Sequence, residues 1–299
     1  MFYGLHEKPF SLSTDPKFLY HSTAHDRTAQ ALLSSVGRRD GIVVITGPPG
    51  IGKTALCQAV LEELDRHTLT SFLVDPFLSV EDLLQTLLID FGVLSRDDLA
   101  SGAHPSPHDL RVTLQSFLAS LSSLRASAVV LIDEAQNLPA PVLDEIRALT
   151  VKGEGQRLLH VVLVGEPGLI SLLKRKDLRP LSEQVAVRSE LGPLLADEIA
   201  GYIRHRLAVA GGGSSSIDFD EAALARIHEL TGGVPRTVNL LCDRALARWY
   251  DASASVIDVT LVDAAAGDLN LAAPVVKASA TLRLALAGMA LLLMLVGAA

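Results

Sequence analysis

The chain has 299 residues, enough for two domains, and 49% of them are hydrophobic, with a mean hydropathy of +0.34. The formal net charge of −8 and the pI near 5.6 exclude a global basic field that would draw the protein to nucleic acid, and no nucleic-acid partner is expected. Cys57 and Cys242 both lie among apolar neighbours in helical patterns, which predicts buried free thiols rather than a disulfide or a metal site.

Residues 1–40 are predicted to form an aromatic, proline-containing lead-in that ends in an amphipathic helix. The apolar strand 42–46 and a phosphate-binding loop follow, and the loop matches G-x-x-x-x-G-K-[ST] at every fixed position. Glycines at the first and sixth positions allow a close backbone approach, and successive N–H groups at a helix N-terminus attract phosphate. The predicted nucleotide contacts are Gly47, Pro48, Pro49, Gly50, Ile51, Gly52, Lys53, Thr54 and Ala55.

An apolar strand at 128–132 ends in a pair of acidic residues that complete this predicted site. Lys53 can place its ammonium near the β- and γ-phosphates, and Thr54 offers a hydroxyl to Mg²⁺. Asp133 can hold the metal shell, and Glu134 suits a carboxylate that orients or deprotonates the attacking water. The sequence therefore predicts a protein that binds ATP with Mg²⁺ and hydrolyses it, with Glu134 and Lys53 as catalytic residues.

The remaining pattern alternates strands with helices and then becomes entirely helical. Further strands are expected at 71–75, 158–164 and 185–187, and helices at 55–66, 80–91, 109–124 and 141–150. This alternation predicts an α/β fold over residues 41–192, a P-loop NTPase parallel sheet with helices on both faces. Helices at 197–210, 220–230, 235–250 and 259–266 predict a helical lid domain over residues 193–267.

A short motif, Gly233-Val234-Pro235-Arg236, precedes the third helix of the predicted lid. Pro235 suits the first turn of a helix, and Arg236 lies just inside it. A cation is disfavoured at a helix N-terminus, which favours a functional role over a solvent-facing one. Arg236 can extend over the nucleotide and detect the γ-phosphate, so it is predicted to be a further nucleotide contact and a third catalytic residue beside Glu134 and Lys53.

The end of the chain is apolar on all sides. After a linker at 268–281, residues 284–299 carry no charge, and Lys277 and Arg283 precede them. As a helix, this run would be about 24 Å long, which is shorter than the hydrocarbon core of a bilayer at about 30 Å. Including residues 282 and 283 reduces this difference in length. The pattern predicts a single membrane anchor at 282–299 with the ATPase domain on the cytoplasmic side of the bacterial inner membrane. An amphipathic or buried terminal helix is the alternative.

Several stretches outside the phosphate-binding loop form a specific linear set: Phe2-Tyr3-Gly4-Leu5, Pro9-Phe10-Ser11-Leu12, Asp15-Pro16-Lys17-Phe18-Leu19-Tyr20, Leu131-Ile132-Asp133-Glu134-Ala135-Gln136-Asn137-Leu138, Val164-Gly165-Glu166-Pro167, Tyr202-Ile203-Arg204-His205-Arg206-Leu207 and Gly233-Val234-Pro235-Arg236. Over residues 2–250 the chain resembles the AAA+ ATPases, and more closely the general secretion pathway protein A and pilus-biogenesis ATPases. The resemblance implies a membrane-anchored cytoplasmic ATPase that forms homo-oligomers and helps to build an envelope assembly, with envelope assembly proteins as partners and Arg236 as the nucleotide sensor of the lid.

The chain departs from the pattern of that family at two positions. Glu166 stands where the family usually has Gln, and an ionised carboxylate cannot donate a hydrogen bond to phosphate or water. Gln184 stands where the family usually has an Arg that is a candidate arginine finger, a group worth roughly 10³–10⁵ in rate. Arg179 or Arg188 is then needed as a substitute, and Arg179 is preferred. Without one, hydrolysis is expected to be slow or to need a partner.

Two other functions fit part of the pattern. A nucleotide-gated scaffold that assembles on ATP but hardly turns over would fit the losses at 166 and 184. A DNA-linked helper ATPase, like the transposition regulators whose ATPase domains look similar, would need a basic groove and no membrane helix. The acidic balance and the apolar tail argue against this second alternative.

Overall fold

The computed structural model describes residues 3–74, 79–97, 105–150, 159–213 and 216–271. The predicted membrane anchor at 282–299 and the linker beyond residue 271 lie outside these ranges. Within the ranges described, no helix is both long enough and apolar enough to cross a bilayer.

A parallel sheet of five strands forms the centre of the first part of the chain, in the order β2-β3-β4-β1-β5. The strands are β1 (Ile42–Thr46), β2 (Thr68–Leu73), β3 (Ser127–Ile132), β4 (Leu159–Gly165) and β5 (Val185–Glu190). Every residue of β1 and β4 is buried, as expected for inner strands covered on both faces. Because β4 lies between β1 and β3, the carboxyl ends of these three strands meet at one edge.

Helices cover both faces of the sheet. They are α1 (Thr23–Arg38), α2 (Lys53–Glu63), α3 (Val80–Asp90), α4 (Pro107–Leu121), α5 (Ala140–Leu149), α6 (Gly168–Leu173) and α7 (Arg179–Ser182). One core packs α1 and α2 against one face, and a second core packs α3 to α7 against the other. Both Ser79 and Ser106 form capping boxes with an aspartate three residues later, which fixes where α3 and α4 begin.

Two predicted boundaries differ from the structure for identifiable reasons. The strand expected at 71–75 is β2, which begins at Thr68 and ends at Leu73. It is an edge strand, and its first half is partly exposed, so it lacks the continuous apolar run that marks an inner strand. The strand expected at 185–187 is β5, which continues to Glu190 with alternating exposure and is the opposite edge.

The helices that follow β5 form a core of their own. This helical region contains α8 (Ile199–Ala210), α9 (Glu221–Thr231), α10 (Pro235–Asp251) and α11 (Val259–Asp268). Part of the predicted lead-in also joins this core. Residues 5–20, here called the N-terminal strap, bury Leu5, Phe10 and Phe18 in it. The helix of the lead-in, α1, packs instead against the sheet, so the buried apolar residues of the strap and those of α1 belong to different cores.

A buried arginine attaches the strap to the helical region. The side chain of Arg206 on α8 is 4% exposed, and its guanidinium donates to the carbonyls of Pro9 at 2.6 Å and Ser11 at 2.7 Å. The same guanidinium lies 4.5 Å from the ring centroid of Phe18. A cation can be buried here because backbone carbonyls and an aromatic face replace its hydration.

Candidate nucleotide site

The phosphate-binding loop joins the end of β1 to the start of α2. Gly50 and Gly52 have φ angles of +76° and +97°, which side chains other than glycine rarely adopt. Gly47 is required for space, because a Cβ there would lie 2.6 Å from the carbonyl oxygen of Leu191. The glycine positions of the motif therefore have direct structural causes in this chain.

Lys53 is the first residue of α2 and is buried under the loop, with 6% of its surface exposed. Its Nζ donates to the carbonyl oxygens of Gly47 at 3.0 Å and Pro48 at 3.1 Å. These bonds keep the ammonium inside the loop. The N-terminus of α2, which is the positive end of its dipole, lies at the same place, and both features favour an anion there.

Thr54 and Asp133 meet across the edge of the sheet, as the strand order requires. The hydroxyl of Thr54 donates to Oδ2 of Asp133 at 2.5 Å, and Oδ1 of Asp133 accepts from the N–H of Glu134 at 2.9 Å. Asp133 is 5% exposed. A hydroxyl and a carboxylate in contact beside a phosphate-binding loop are hard oxygen ligands of the kind that Mg²⁺ prefers, so the residues present fit this metal.

Glu134 follows Asp133 in an unusual backbone conformation. Its φ of 50° lies in the left-handed region, which is uncommon for a residue other than glycine and is frequent at functional sites. The next residues, Ala135–Asn137, form a single 3-10 turn. Oε2 of Glu134 accepts a hydrogen bond of 2.5 Å from Nε2 of Gln136. Gln136 was not predicted as a site residue, although it lies two residues after Glu134 in one of the stretches that carry the family resemblance.

A cavity of about 390 Å³ opens beside the loop, within the range of small-molecule sites. Residues 49–55 line it together with Glu134 and Arg236. The remaining walls were not predicted. The strap supplies Phe18, Leu19 and Tyr20, and the helical region supplies Tyr202, Arg206 and Asn239. The strap residues stand far from the loop in the sequence, so no local pattern indicates that they reach it.

Arg236 lies directly against the phosphate-binding loop. Its backbone N–H donates to the carbonyl oxygen of Gly50 at 3.1 Å, and its exposed side chain lines the cavity. A Cβ on Gly50 would come within 2.7 Å of the Cβ of Arg236. The structure thus brings together the loop and the first turn of α10, which begins at Pro235 as predicted.

A buried histidine supports the other side of the loop. His25 on α1 is 4% exposed, its Nδ1 lies 2.7 Å from the hydroxyl of Ser22, and a Cβ on Gly52 would lie 3.1 Å from its Nε2. Burial lowers the pKa of His25 below its ordinary value of 6.5, against smaller opposing contributions from the Ile51 backbone and Glu198. The neutral imidazole is therefore the form favoured beside the loop.

The residues considered for an arginine finger lie away from this cavity wall. Oε1 of Gln184 accepts from the hydroxyl of Thr150 at 3.0 Å. Arg179 forms an exposed ion pair with Glu183 at 2.9 Å, and Arg188 donates to the hydroxyl of Ser182 at 2.8 Å. Gln184, Arg179 and Arg188 are not among the described residues that line the cavity.

Residues 36–173 match the model of the AAA domain family. The chain is 35% identical over 282 residues to general secretion pathway protein A of Aeromonas hydrophila, a match that covers 91% of this chain and 47% of that protein. The chain therefore spans about half the length of this curated relative. The resemblance predicted from the sequence is confirmed.

Solved structures with the same fold include the ORC2 protein of Aeropyrum pernix, with a TM-score of 0.65 and 16% identity over 88% of this chain and 71% of that one. Cdc6p of Pyrobaculum aerophilum gives a TM-score of 0.67 at 17% identity, covering 87% of this chain and 70% of that one. The RuvB Holliday junction branch migration motor of Thermotoga maritima gives a TM-score of 0.57 at 20% identity, covering 87% of this chain and 74% of that one. At these identities the likeness shows the fold alone, and together with the AAA domain match it supports the P-loop NTPase α/β fold.

Proposed function

Because residues 36–173 match the AAA domain family and the chain is similar to general secretion pathway protein A, we propose that it binds ATP with Mg²⁺. We propose further that it hydrolyses the bond between the β- and γ-phosphates. The observation that carries the proposal is the contact of Thr54 with Asp133 directly beside the buried ammonium of Lys53. This arrangement combines a phosphate site, a metal-ligand pair and, in Glu134, an adjacent carboxylate.

Each residue has a separate task in the proposed reaction. Lys53 binds the β- and γ-phosphates, and Thr54 and Asp133 hold Mg²⁺, which neutralises charge on the phosphates when bound. Glu134 orients the attacking water and accepts its proton. Arg236 extends from α10 towards the γ-phosphate side, so that the helical region detects which nucleotide is bound.

We further propose that the chain works as a homo-oligomer in which Arg179 supplies the missing arginine finger. Gln184 is neutral and bonded to Thr150, so it does not provide a cation. The side chain of Arg179 is 78% exposed, and an exposed ion pair such as that with Glu183 is worth only about 0–1 kcal/mol. This pairing leaves Arg179 available to a neighbouring subunit.

The cellular role follows from the relative and from the tail of the chain. General secretion pathway protein A belongs by its name to secretion, and we place this chain in the same kind of envelope machine: secretion, pilus or polysaccharide export. The apolar residues 284–299 support a tether to the bacterial inner membrane with the ATPase domain on the cytoplasmic side. The envelope proteins of such a machine are the expected partners.

The test is ATP turnover by the full chain, compared with Glu134→Gln and Lys53→Ala. Turnover lost in Glu134→Gln while ATP still binds would support the enzyme, and Lys53→Ala should lose binding itself. Light scattering with and without ATP measures assembly. Assembly without turnover, and without an effect of Glu134→Gln, would instead support a nucleotide-gated scaffold, which the engagement of Gln184 with Thr150 favours as the second candidate.

A further inference from the structure

Gln136 joins two parts of the site that the sequence does not connect. Its Nε2 donates to Oε2 of Glu134 at 2.5 Å, and its Oε1 accepts from the backbone N–H of Glu166 at 3.0 Å. Glu166 directly follows β4, the strand that lies between β1 and β3. One amide therefore bridges the carboxylate next to the metal-ligand pair and the end of the central strand.

The chemistry of the two partners fixes the orientation of this amide. An ionised carboxylate only accepts, and a backbone N–H only donates, so the NH₂ group must face Glu134 and the oxygen must face Glu166. The fit is close, because a Cβ on Gly165 would lie 2.3 Å from Oε1 of Gln136. The glycine at the end of β4 thus leaves the space that the bridge occupies.

We propose that Gln136 is a positioning residue for the carboxylate of Glu134, an inference that rests on the proposed hydrolysis of ATP. The backbone of Glu134 is held by its own N–H bond to Asp133, but that bond does not restrict the rotation of the side chain. The hydrogen bond from Gln136 engages one of the two carboxylate oxygens of Glu134. Because Gln136 also bonds to the backbone N–H that follows β4, it links this carboxylate to the sheet. A carboxylate held in this way keeps a fixed distance to the attacking water.

The bridge also explains why the chain tolerates an acidic residue at position 166. Its bond to Gln136 uses the backbone N–H of Glu166, and the side chain has no part in that bond. A Gln or a Glu at 166 supplies the same donor. The amide donor that faces Glu134 is at position 136 and is unaffected by this departure from the family pattern.

The decisive variant is Gln136→Glu in the full chain. It keeps the size of the side chain beside Gly165 and the acceptor for the N–H of Glu166, but it replaces the donor with a second carboxylate. We expect kcat to fall at least about tenfold in Gln136→Glu, because the added carboxylate repels Glu134 instead of holding it. Gln136→Ala, which removes both bonds without adding a charge, should show a similar fall in kcat with KM and the Kd for ATP within about twofold of the wild type.

Gln85→Glu is the matched control. Nε2 of Gln85 donates to Oε1 of Glu81 at 3.1 Å on α3, so this change also removes an amide donor from a glutamate, but away from the cavity. It should leave kcat unchanged. A wild-type kcat in Gln136→Glu, or a rise in KM without a fall in kcat, would overturn the inference while leaving the ATPase intact. Absence of turnover in the wild type and in Gln85→Glu would refute the proposed function itself.

Discussion

Two adjacent glycines allow the backbone contact at the start of the helical region to be tested by substitution. Gly232 and Gly233 both have a positive φ, at +59° and +73°. A Cβ on Gly232 meets nothing within 4 Å, whereas a Cβ on Gly233 would lie 2.1 Å from the carbonyl oxygen of Leu194. The N–H of Leu194 also donates to the carbonyl of Gly233 at 2.9 Å, so backbone lies against backbone where the chain leaves the sheet for the helical region.

We expect Gly233→Ala to destabilise the protein more than Gly232→Ala does. Left-handed strain costs both variants about 1–2 kcal/mol. Gly233→Ala adds overpacking against a backbone oxygen that no rotamer change can relieve, about 1–3 kcal/mol more. The free energy of unfolding should therefore fall by about 1–2 kcal/mol in Gly232→Ala and about 2–5 kcal/mol in Gly233→Ala.

Urea titration followed by tryptophan fluorescence measures this difference. The chain has one tryptophan, Trp249, on α10, the helix that these glycines precede, so the signal reports the helical region. Gly233→Ala should also weaken ATP binding, because it lies three residues before Arg236, whose N–H donates to Gly50. Equal losses of stability in the two variants would refute the argument that the approach of Leu194 requires glycine at 233.

Three further changes probe the walls of the cavity. Gly50→Ala should weaken ATP affinity at least about fivefold in calorimetric titration, because its methyl group meets the Cβ of Arg236 at 2.7 Å. Gly92→Ala is the control: Gly92 has a similar φ of +72° and open space around it, so this change should leave ATP affinity unchanged. Arg206→Lys should lower the free energy of unfolding by about 1.5–3 kcal/mol in urea, since an ammonium cannot reproduce the planar fork that binds two carbonyls. The unfolded chain protonates His25 near pH 6.5 while the folded chain, whose His25 pKa is lowered, stays neutral, so stability falls as the pH drops below about 6.5. His25→Gln should reduce that slope by up to about 1.4 kcal/mol per pH unit, and an unchanged slope would show that His25 is not the group responsible.

The placement of the glycine-rich loop, Thr54 and Asp133 side by side could be predicted because their signals are local. A fixed motif follows a continuous apolar strand, and Asp133 follows another, so the parallel order of the strands brings both to one edge. The contact of Thr54 with Asp133 requires no further information. The roles assigned to Lys53, Thr54, Asp133, Glu134 and Arg236 all stay predictions that the proposed experiments address.

The strap and the Gln136 bridge could not be predicted, because each depends on partners that are distant in sequence. The strap reaches the cavity through Arg206, whose carbonyl acceptors lie 195 and 197 positions away. Every residue has a backbone carbonyl, so the amino-acid sequence does not indicate which carbonyls accept those hydrogen bonds. The partner of Gln136 at 166 is likewise a backbone N–H, which any residue except proline would supply.

Hydrogen bonds to backbone groups are among the contacts that hold the helical region against the rest of the chain. Arg236 bonds to Gly50, and Glu198 accepts at 2.9 Å from the N–H of Thr23 at the start of α1. Both bonds are directional, whereas the strap and the helical region share a continuous apolar core. Since a net hydrogen bond contributes about 0.5–1.5 kcal/mol, a few contacts of this kind are within the range that one bound nucleotide can alter. An apolar core would resist such a change, so we expect a bound nucleotide to have its greatest effect at the bond between Arg236 and Gly50.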